Sequence, residues 1–206
     1  MKNRLLFALL FLGACSTPDP ILEGDRSPIF KQDALVVLDE KVLDLGNVLT
    51  PTNCEYAVDA NNRIWHGNVR IFSGLPTEAK IKVDKKTACN GKNVYAGLST
   101  GELVKVNATS REMAWAVDIF QPFSPTKNAM FLDIIATPVY HAGFVYAGGL
   151  GNQFCKVRDS DGKKIWCLPV AVVAIVKSTD KFHVIKSADG AMYAVSTDGR
   201  VYRHDN

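Results

Sequence analysis

Two stretches of this chain match each other without a gap. Each opens on Val-Tyr-Ala-Gly (Val94 to Gly97; Val145 to Gly148), passes through Lys-Val (Lys105, Val106; Lys156, Val157) and closes on a tryptophan (Trp115; Trp166). A repeat of this size is one supersecondary unit that cannot bury both faces alone, so copies must stack or close on one another. At roughly 40–50 residues per unit, a chain of 206 residues holds about four.

The best-formed copy reads as strand Thr137–Tyr140, turn Ala142-Gly143, strand Phe144–Gly148, turn, strand Gln153–Arg158, turn Asp159-Ser160-Asp161-Gly162, and strand Lys164–Leu168. Gly162 suits the left-handed position of a three-residue hairpin loop. The copy before it keeps this order, with Ala108-Thr109-Ser110-Arg111 in place of the glycine turn, and is expected to make a looser hairpin there. A third copy runs from Val172 to Tyr202, with Tyr202 near the tryptophan position. A weaker fourth surrounds Tyr56 to Trp65, with the strand that holds Tyr56 left open between second and third. No segment sustains a helical apolar stripe, and short strands alternate with Gly, Asn, Asp and Ser turns. The expected fold is all-β: a propeller-like array of about four four-stranded antiparallel blades over residues 34–206. Trp65, Trp115, Trp166 and Tyr202 are expected to pack between blades, because repetition at one blade position serves a fold rather than a single ligand. Ala34–Leu38 is apolar enough to pair with the terminal edge near Val201.

The N-terminus reads as an address. Met1-Lys2-Asn3-Arg4 is a positive n-region, Leu5 to Leu12 an apolar run, and Gly13-Ala14 a small pair before Cys15. The run is far shorter than the roughly 20 residues of a spanning helix. Leu12-Gly13-Ala14-Cys15 resembles the bacterial lipobox, which implies that residues 1–14 are removed and that Cys15 carries acyl chains. Ser16 after it resembles the signal for passage to the outer membrane. Residues 15–33, with Pro18, Pro20 and Pro28, read as a tether.

The repeat resembles that of pyrroloquinoline-quinone-type β-propellers. With the lipobox and the segment Leu22-Glu23-Gly24-Asp25-Arg26, it is similar to the BamB-like lipoproteins of the machinery that assembles outer-membrane β-barrels. The resemblance implies a non-catalytic scaffold, lipid-anchored on the periplasmic side of the outer membrane, whose partner is a β-barrel assembly subunit. Such proteins usually carry eight blades. About half that number here implies a reduced ring, a small closed ring or half of a homodimer. Loops carry the contacts of a repeat scaffold, and Gln121, Pro122, Phe123 and Pro125 form the first candidate partner loop, against the alternative of a mere spacer.

Other chemistry finds little support. A net charge of +3 with 22% charged residues gives no clustered basic face for nucleic acid. Asp159-Ser160-Asp161-Gly162 lacks the closing Glu of a calcium loop. His66, His141, His183 and His204 are scattered, so no metal or other cofactor is expected, and neither a nucleophile elbow nor a phosphate loop is present. The rivals are a quinone- and calcium-binding dehydrogenase remnant, disfavoured by the missing adjacent cysteine pair, and an envelope-binding structural lipoprotein. Cys54, Cys89, Cys155 and Cys167 remain after Cys15. Cys155 and Cys167 flank the Asp-Gly turn directly opposite each other, as a cross-strand disulfide or as two core thiols. Only the even count pairs Cys54 with Cys89.

Overall fold

Each copy of the repeat folds into its own antiparallel sheet, because its short apolar strands are joined by turns of two to five residues. A computed structural model describes residues 34–38, 44–49, 54–78, 81, 85–120 and 131–204. Among these, all regular structure is β, in four sheets. The signal and tether (1–33), with Cys15, and the loop residues Gln121, Pro122, Phe123 and Pro125 lie outside the described residues.

The strands are β1 (Val37–Leu38), β2 (Tyr56–Val58), β3 (Arg63–His66), β4 (Val69–Ser73), β5 (Lys85–Lys86) and β6 (Ala88–Asn90). They continue with β7 (Asn93–Gly97), β8 (Glu102–Asn107), β9 (Met113–Asp118), β10 (Val139–His141), β11 (Phe144–Gly148) and β12 (Phe154–Arg158). The last five are β13 (Lys164–Leu168), β14 (Val172–Ser178), β15 (Phe182–Ser187), β16 (Met192–Ser196) and β17 (Val201–Arg203). The second and third sheets run in chain order, β6-β7-β8-β9 and β10-β11-β12-β13. The first sheet has the order β4-β3-β2-β5, so its first-strand position is filled by a segment that follows it in sequence. Lys85–Asn90 therefore serves two sheets: Lys85 and Lys86 pair with Val58 and Ala57, and Ala88 to Asn90 pair with β7.

The fourth sheet, β14 to β17, gains β1 as a fifth strand, with Val37 opposite Val201 and Leu38 opposite Tyr202. That pairing is parallel. The same N-terminal segment then reaches the opposite edge. Asn47 and Asp180 exchange hydrogen bonds, Leu49 N–H donates to the Ser178 carbonyl at 2.8 Å, and Val48 bridges Thr179. Residues 34–38 and 44–49 thus meet the fourth sheet at β17 and at β14.

Three apolar cores lie between consecutive sheets. Val58, Ile64 and Ile71 of the first sheet meet Val94, Ala96, Val104 and Val106 of the second. Tyr95, Leu103 and Trp115 meet Val145, Ala147, Cys155 and Val157 of the third. Tyr146 and Phe154 meet Val172, Ile185, Val195 and Val201 of the fourth. The strands that repeat the motif are buried on both faces, which is why Val94 to Gly97 and Val145 to Gly148 read as unbroken small-apolar runs. The Val-Tyr-Ala-Gly register places alternate residues in different cores: Tyr95 packs toward the third sheet, Val94 and Ala96 toward the first. The four sheets do not close into a ring.

Sequence reading and structure differ at two places. The Ala108–Arg111 turn is not looser than its glycine counterpart. Arg111 adopts φ +62° where Gly162 has +72°, and Arg111 N–H and Gly162 N–H close the same bond onto the carbonyls of Asn107 and Arg158. Asn107 Oδ1 also accepts the amides of Thr109 and Ser110, which stabilises the turn without a glycine. The second difference is Trp65. Tyr56 lies on the second strand of its sheet, so Trp65 falls on the third strand, away from the position held by Trp115, Trp166 and Tyr202 on the fourth. The strand that holds Tyr56, left open by the sequence, is thus the second.

Candidate functional site

The motif residues build a lock between neighbouring sheets. Lys105 and Trp115 stand opposite each other on β8 and β9, as Lys156 and Trp166 do on β12 and β13. The Trp115 indole N–H and the Lys105 ammonium both donate to the Asp159 carbonyl of the third sheet, at 2.8 and 3.0 Å. Trp166 and Lys156 repeat this on the Thr197 carbonyl of the fourth, at 3.3 and 2.9 Å. A Cβ on Gly162 would stand 3.0 Å from the Trp115 ring, and one on Gly199 3.2 Å from the Trp166 ring. Those turns need glycine both for positive φ and for the ring pressed against them. Asp159 adds a carboxylate that accepts from Tyr95 Oη at 2.7 Å and pairs with Lys105 at 2.6 Å. Burial first, and then that carboxylate, push the Tyr95 phenol upward, so it stays a neutral donor. Trp115→Phe keeps an aromatic ring but removes the indole donor and part of the buried ring area. It is expected to cost about 1–2 kcal/mol in chemical unfolding, and an unchanged midpoint would contradict the lock.

The first sheet is fastened differently. His66 opposite Val69 occupies the place of the Lys–Trp pair. Cys54 is disulfide-bonded to Cys89 on β6, tying the first sheet covalently to the second. Thr87 Oγ1 donates to the Tyr56 carbonyl at 2.8 Å beside that bridge. Asn62 Oδ1 accepts from Ser99 N–H at 2.7 Å, and its amide donates to the Leu75 carbonyl. Lys85, 4% exposed, donates to Ser99 Oγ at 2.6 Å and pairs with Asp133 Oδ1 at 3.1 Å, with Asp133 fully buried. Burial lowers the Lys85 pKa, and the Asp133 hydrogen bond and charge oppose that. Ile81 N–H also reaches Asp133 Oδ1, and Leu150 N–H reaches the Asp133 carbonyl. One buried ion pair therefore holds the segments leading out of the first and second sheets against a turn of the third.

Trp65 stays within its own sheet, donating to Asp59 Oδ2 at 2.9 Å, with Arg63 stacked 5.4 Å from its ring. Burial raises the Asp59 pKa, but hydrogen bonds from Trp65, Arg63 and Asn61 outweigh it and hold it at about 2. A depressed carboxylate contributes stability above its unfolded pKa of about 3.9 and loses it as pH falls through the folded value. Asp59→Asn should therefore flatten the acid limb of stability between about pH 4 and 2, an effect of about 1–2 kcal/mol after solvent screening. An identical acid limb in wild type and variant would contradict it.

Cys155 and Cys167 are paired directly across β12 and β13 and are disulfide-bonded. Native protein should therefore yield no alkylatable thiol at Cys54, Cys89, Cys155 or Cys167. Reduction should add four, and intact mass after alkylation counts them.

The remaining histidines do not gather. His66 stacks on Tyr56 and faces Glu55 at 3.4 Å. His183 is fully buried against the Tyr146 ring, with Nδ1 at 2.9 Å from Ser178 Oγ. Burial, then the nearby His141 and Lys156, lower its pKa to about 3, so it is neutral in the fold. Among the described residues no group of three His, Cys, Asp or Glu side chains is placed to hold a metal ion.

The first strands of the second, third and fourth sheets converge on one cavity of about 310 Å³. Thr87 and Ala88 form one wall, Thr137 to Tyr140 the second, and Ile175 to Ser178 the third. Val48 and Leu49 of the N-terminal segment close the fourth side. Nothing in sequence patterning pointed to this site, because its walls come from three repeats and the N-terminal segment, far apart in the chain.

Consecutive four-stranded antiparallel sheets, each packed face to face on the next with first strands around a common cavity, define a β-propeller fold. No family model matches the chain, and no curated protein matches it. Among solved structures it is similar to BamB from Moraxella catarrhalis, at 13% identity over 75% of this chain and 46% of that one, with a TM-score of 0.52. It is also similar to Sqt1 from Saccharomyces cerevisiae, at 12% identity over 71% and 43%, with a TM-score of 0.54. This chain spans less than half the length of each, and at such identities the likeness is one of fold.

Proposed function

We propose that the chain is a non-catalytic, lipid-anchored scaffold on the periplasmic side of the outer membrane, serving the assembly of outer-membrane β-barrels. The observation that carries this reading is a propeller fold like that of BamB behind a lipobox at Cys15. The fold alone fits Sqt1 equally well, so the lipobox is what favours an envelope protein. Two disulfides agree with an oxidising compartment. Acyl chains on Cys15 would hold the protein at the membrane. The partner is a β-barrel assembly subunit, and Gln121, Pro122, Phe123 and Pro125 are the first residues to exchange in mapping its contact. Locks at Asp159 and Thr197 make the sheets a rigid frame for such loops.

Affinity purification of the tagged full chain from detergent-solubilised envelope tests the reading. Recovery of the barrel-inserting subunit is expected, with loss of membrane attachment in Cys15→Ser. Repeated absence of that subunit under mild detergent would overturn the assembly role and favour an envelope-binding structural lipoprotein. A chromophore that leaves the purified protein on denaturation would instead favour the quinone-binding alternative.

A further inference from the structure

We propose that His183 is an acid switch: its protonation releases residues 44–49 from the end of β14 and opens the cavity that Val48 and Leu49 close. The switch is independent of the assembly reading, since it lies wholly in the joint between the third and fourth sheets and the segment attached there.

That joint is built to hold a neutral imidazole. His183, on β15, has no exposed surface, and its ring centre lies 3.9 Å from that of Tyr146 on β11. Its Nδ1 shares a hydrogen bond with Ser178 Oγ at 2.9 Å, while Nε2 has no hydrogen-bond partner. A protonated ring donates from both nitrogens and finds one acceptor here. The groups that face it do not compensate. Lys156 on β12 and His141 at the end of β10 both oppose a positive ring. Tyr146 already has the Lys156 ammonium 5.6 Å from its ring centre. β14 contributes the neutral Ser178, and β16 the apolar Val195. The carboxylates of the adjoining turns are engaged elsewhere, Asp180 with Asn47, and Asp198 with Arg200 and Ser196. Burial first, then His141 and Lys156, hold the His183 pKa down at about 3. A buried charge left without a partner is costly, so a protonated His183 leaves the joint for water.

The same strand end carries the N-terminal segment. Ser178 stands opposite His183 in the pairing of β14 with β15. Its carbonyl accepts Leu49 N–H at 2.8 Å, Thr179 bridges Val48, and Asp180 N–H donates to the Asn47 carbonyl at 3.0 Å. Lys181 pairs with Asp44 in the same turn. Withdrawal of His183 displaces this turn, and the four contacts are lost together. Val48, Leu49 and Ser178 line the cavity, which then opens on the side they form. An imidazole whose folded pKa lies below its unfolded value of about 6.5 stabilises the closed form fully above that value, and less as pH falls toward the folded one. The opened fraction should rise about tenfold by about pH 5.5 and about 100-fold by about pH 4.5.

Hydrogen exchange of the full chain, corrected for the intrinsic pH dependence of each amide, tests the switch. Between about pH 7.5 and 4.5 the opening constants of Leu49, Thr179 and Asp180 should rise about 100-fold, without a matching rise in β7 and β8 of the second sheet. His183→Phe keeps a ring against Tyr146 but takes no proton, and there the rise should be at least about tenfold smaller. The imidazole nitrogen shifts of the unaltered chain give a readout that needs no variant. They should stay those of a neutral His183 ring while native signals persist above about pH 4. An equal rise in His183→Phe, or a rise shared by all four sheets, would overturn the switch. A protonated His183 ring in the native spectrum at about pH 5 would overturn it too.

Discussion

Replacing Lys85 with Met is expected to destabilise the fold by about 3–5 kcal/mol, the cost of stranding a buried carboxylate without its partner. Asp133 is fully buried, and its Oδ2 already has no hydrogen-bond partner, so nothing nearby can take over from the ammonium. Met matches the Lys stem in length, which keeps the packing term small. The double variant Lys85→Met, Asp133→Leu should recover much of the loss, since an apolar pair of similar volume removes both desolvation costs. Part of it stays lost, because Ile81 N–H also depends on Asp133 Oδ1. Urea unfolding of the two single variants and the double completes the cycle. Additive losses would mean that the pair is not coupled and that the segments are held by packing alone.

Breaking Cys54–Cys89 is the second large effect. The residues are 35 apart in sequence, against 12 for Cys155–Cys167. Chain entropy then assigns about 4 kcal/mol to the longer bridge and about 3 to the shorter. The larger difference is spatial. Cys155–Cys167 joins two strands that are already paired, whereas Cys54–Cys89 joins two sheets. The first sheet lacks the Lys–Trp lock and depends on that bridge with the Asn62 and Lys85 contacts. A Cys54→Ala, Cys89→Ala variant should therefore lose about 4 kcal/mol, with Tyr56 to Ser73 the first amides to exchange. Uniform exchange across all four sheets would show that the bridge is not what secures the first.

The spacing of Val-Tyr-Ala-Gly, Lys-Val and Trp was enough to read four sheets and most strand positions, because a buried propeller strand repeats one chemical pattern in each copy. Trp115 and Trp166 were readable as fold elements, but their hydrogen bonds to Asp159 and Thr197 were not, since the acceptors are backbone carbonyls with no sequence signature. The first sheet was the hardest. Its strands are short, its first strand comes from Lys85–Lys86 after the other three, and Trp65 mimics the closing tryptophan from the wrong strand. Arg111 was misread because its turn is held by Asn107 Oδ1, a side-chain device that replaces glycine. Lys85 with Asp133, and the cavity, were invisible for one reason: each joins residues from separate repeats, and periodicity reports only what copies share.

The assembly role is tested most directly in living cells, by the rate at which a pulse-labelled outer-membrane β-barrel acquires its folded, heat-modifiable form. Cells lacking this chain should fold the barrel more slowly. The full chain should restore the rate, and Cys15→Ser, released from the membrane, should not. Equal folding rates with and without the chain, at matched levels of the barrel-inserting subunit, would contradict the account.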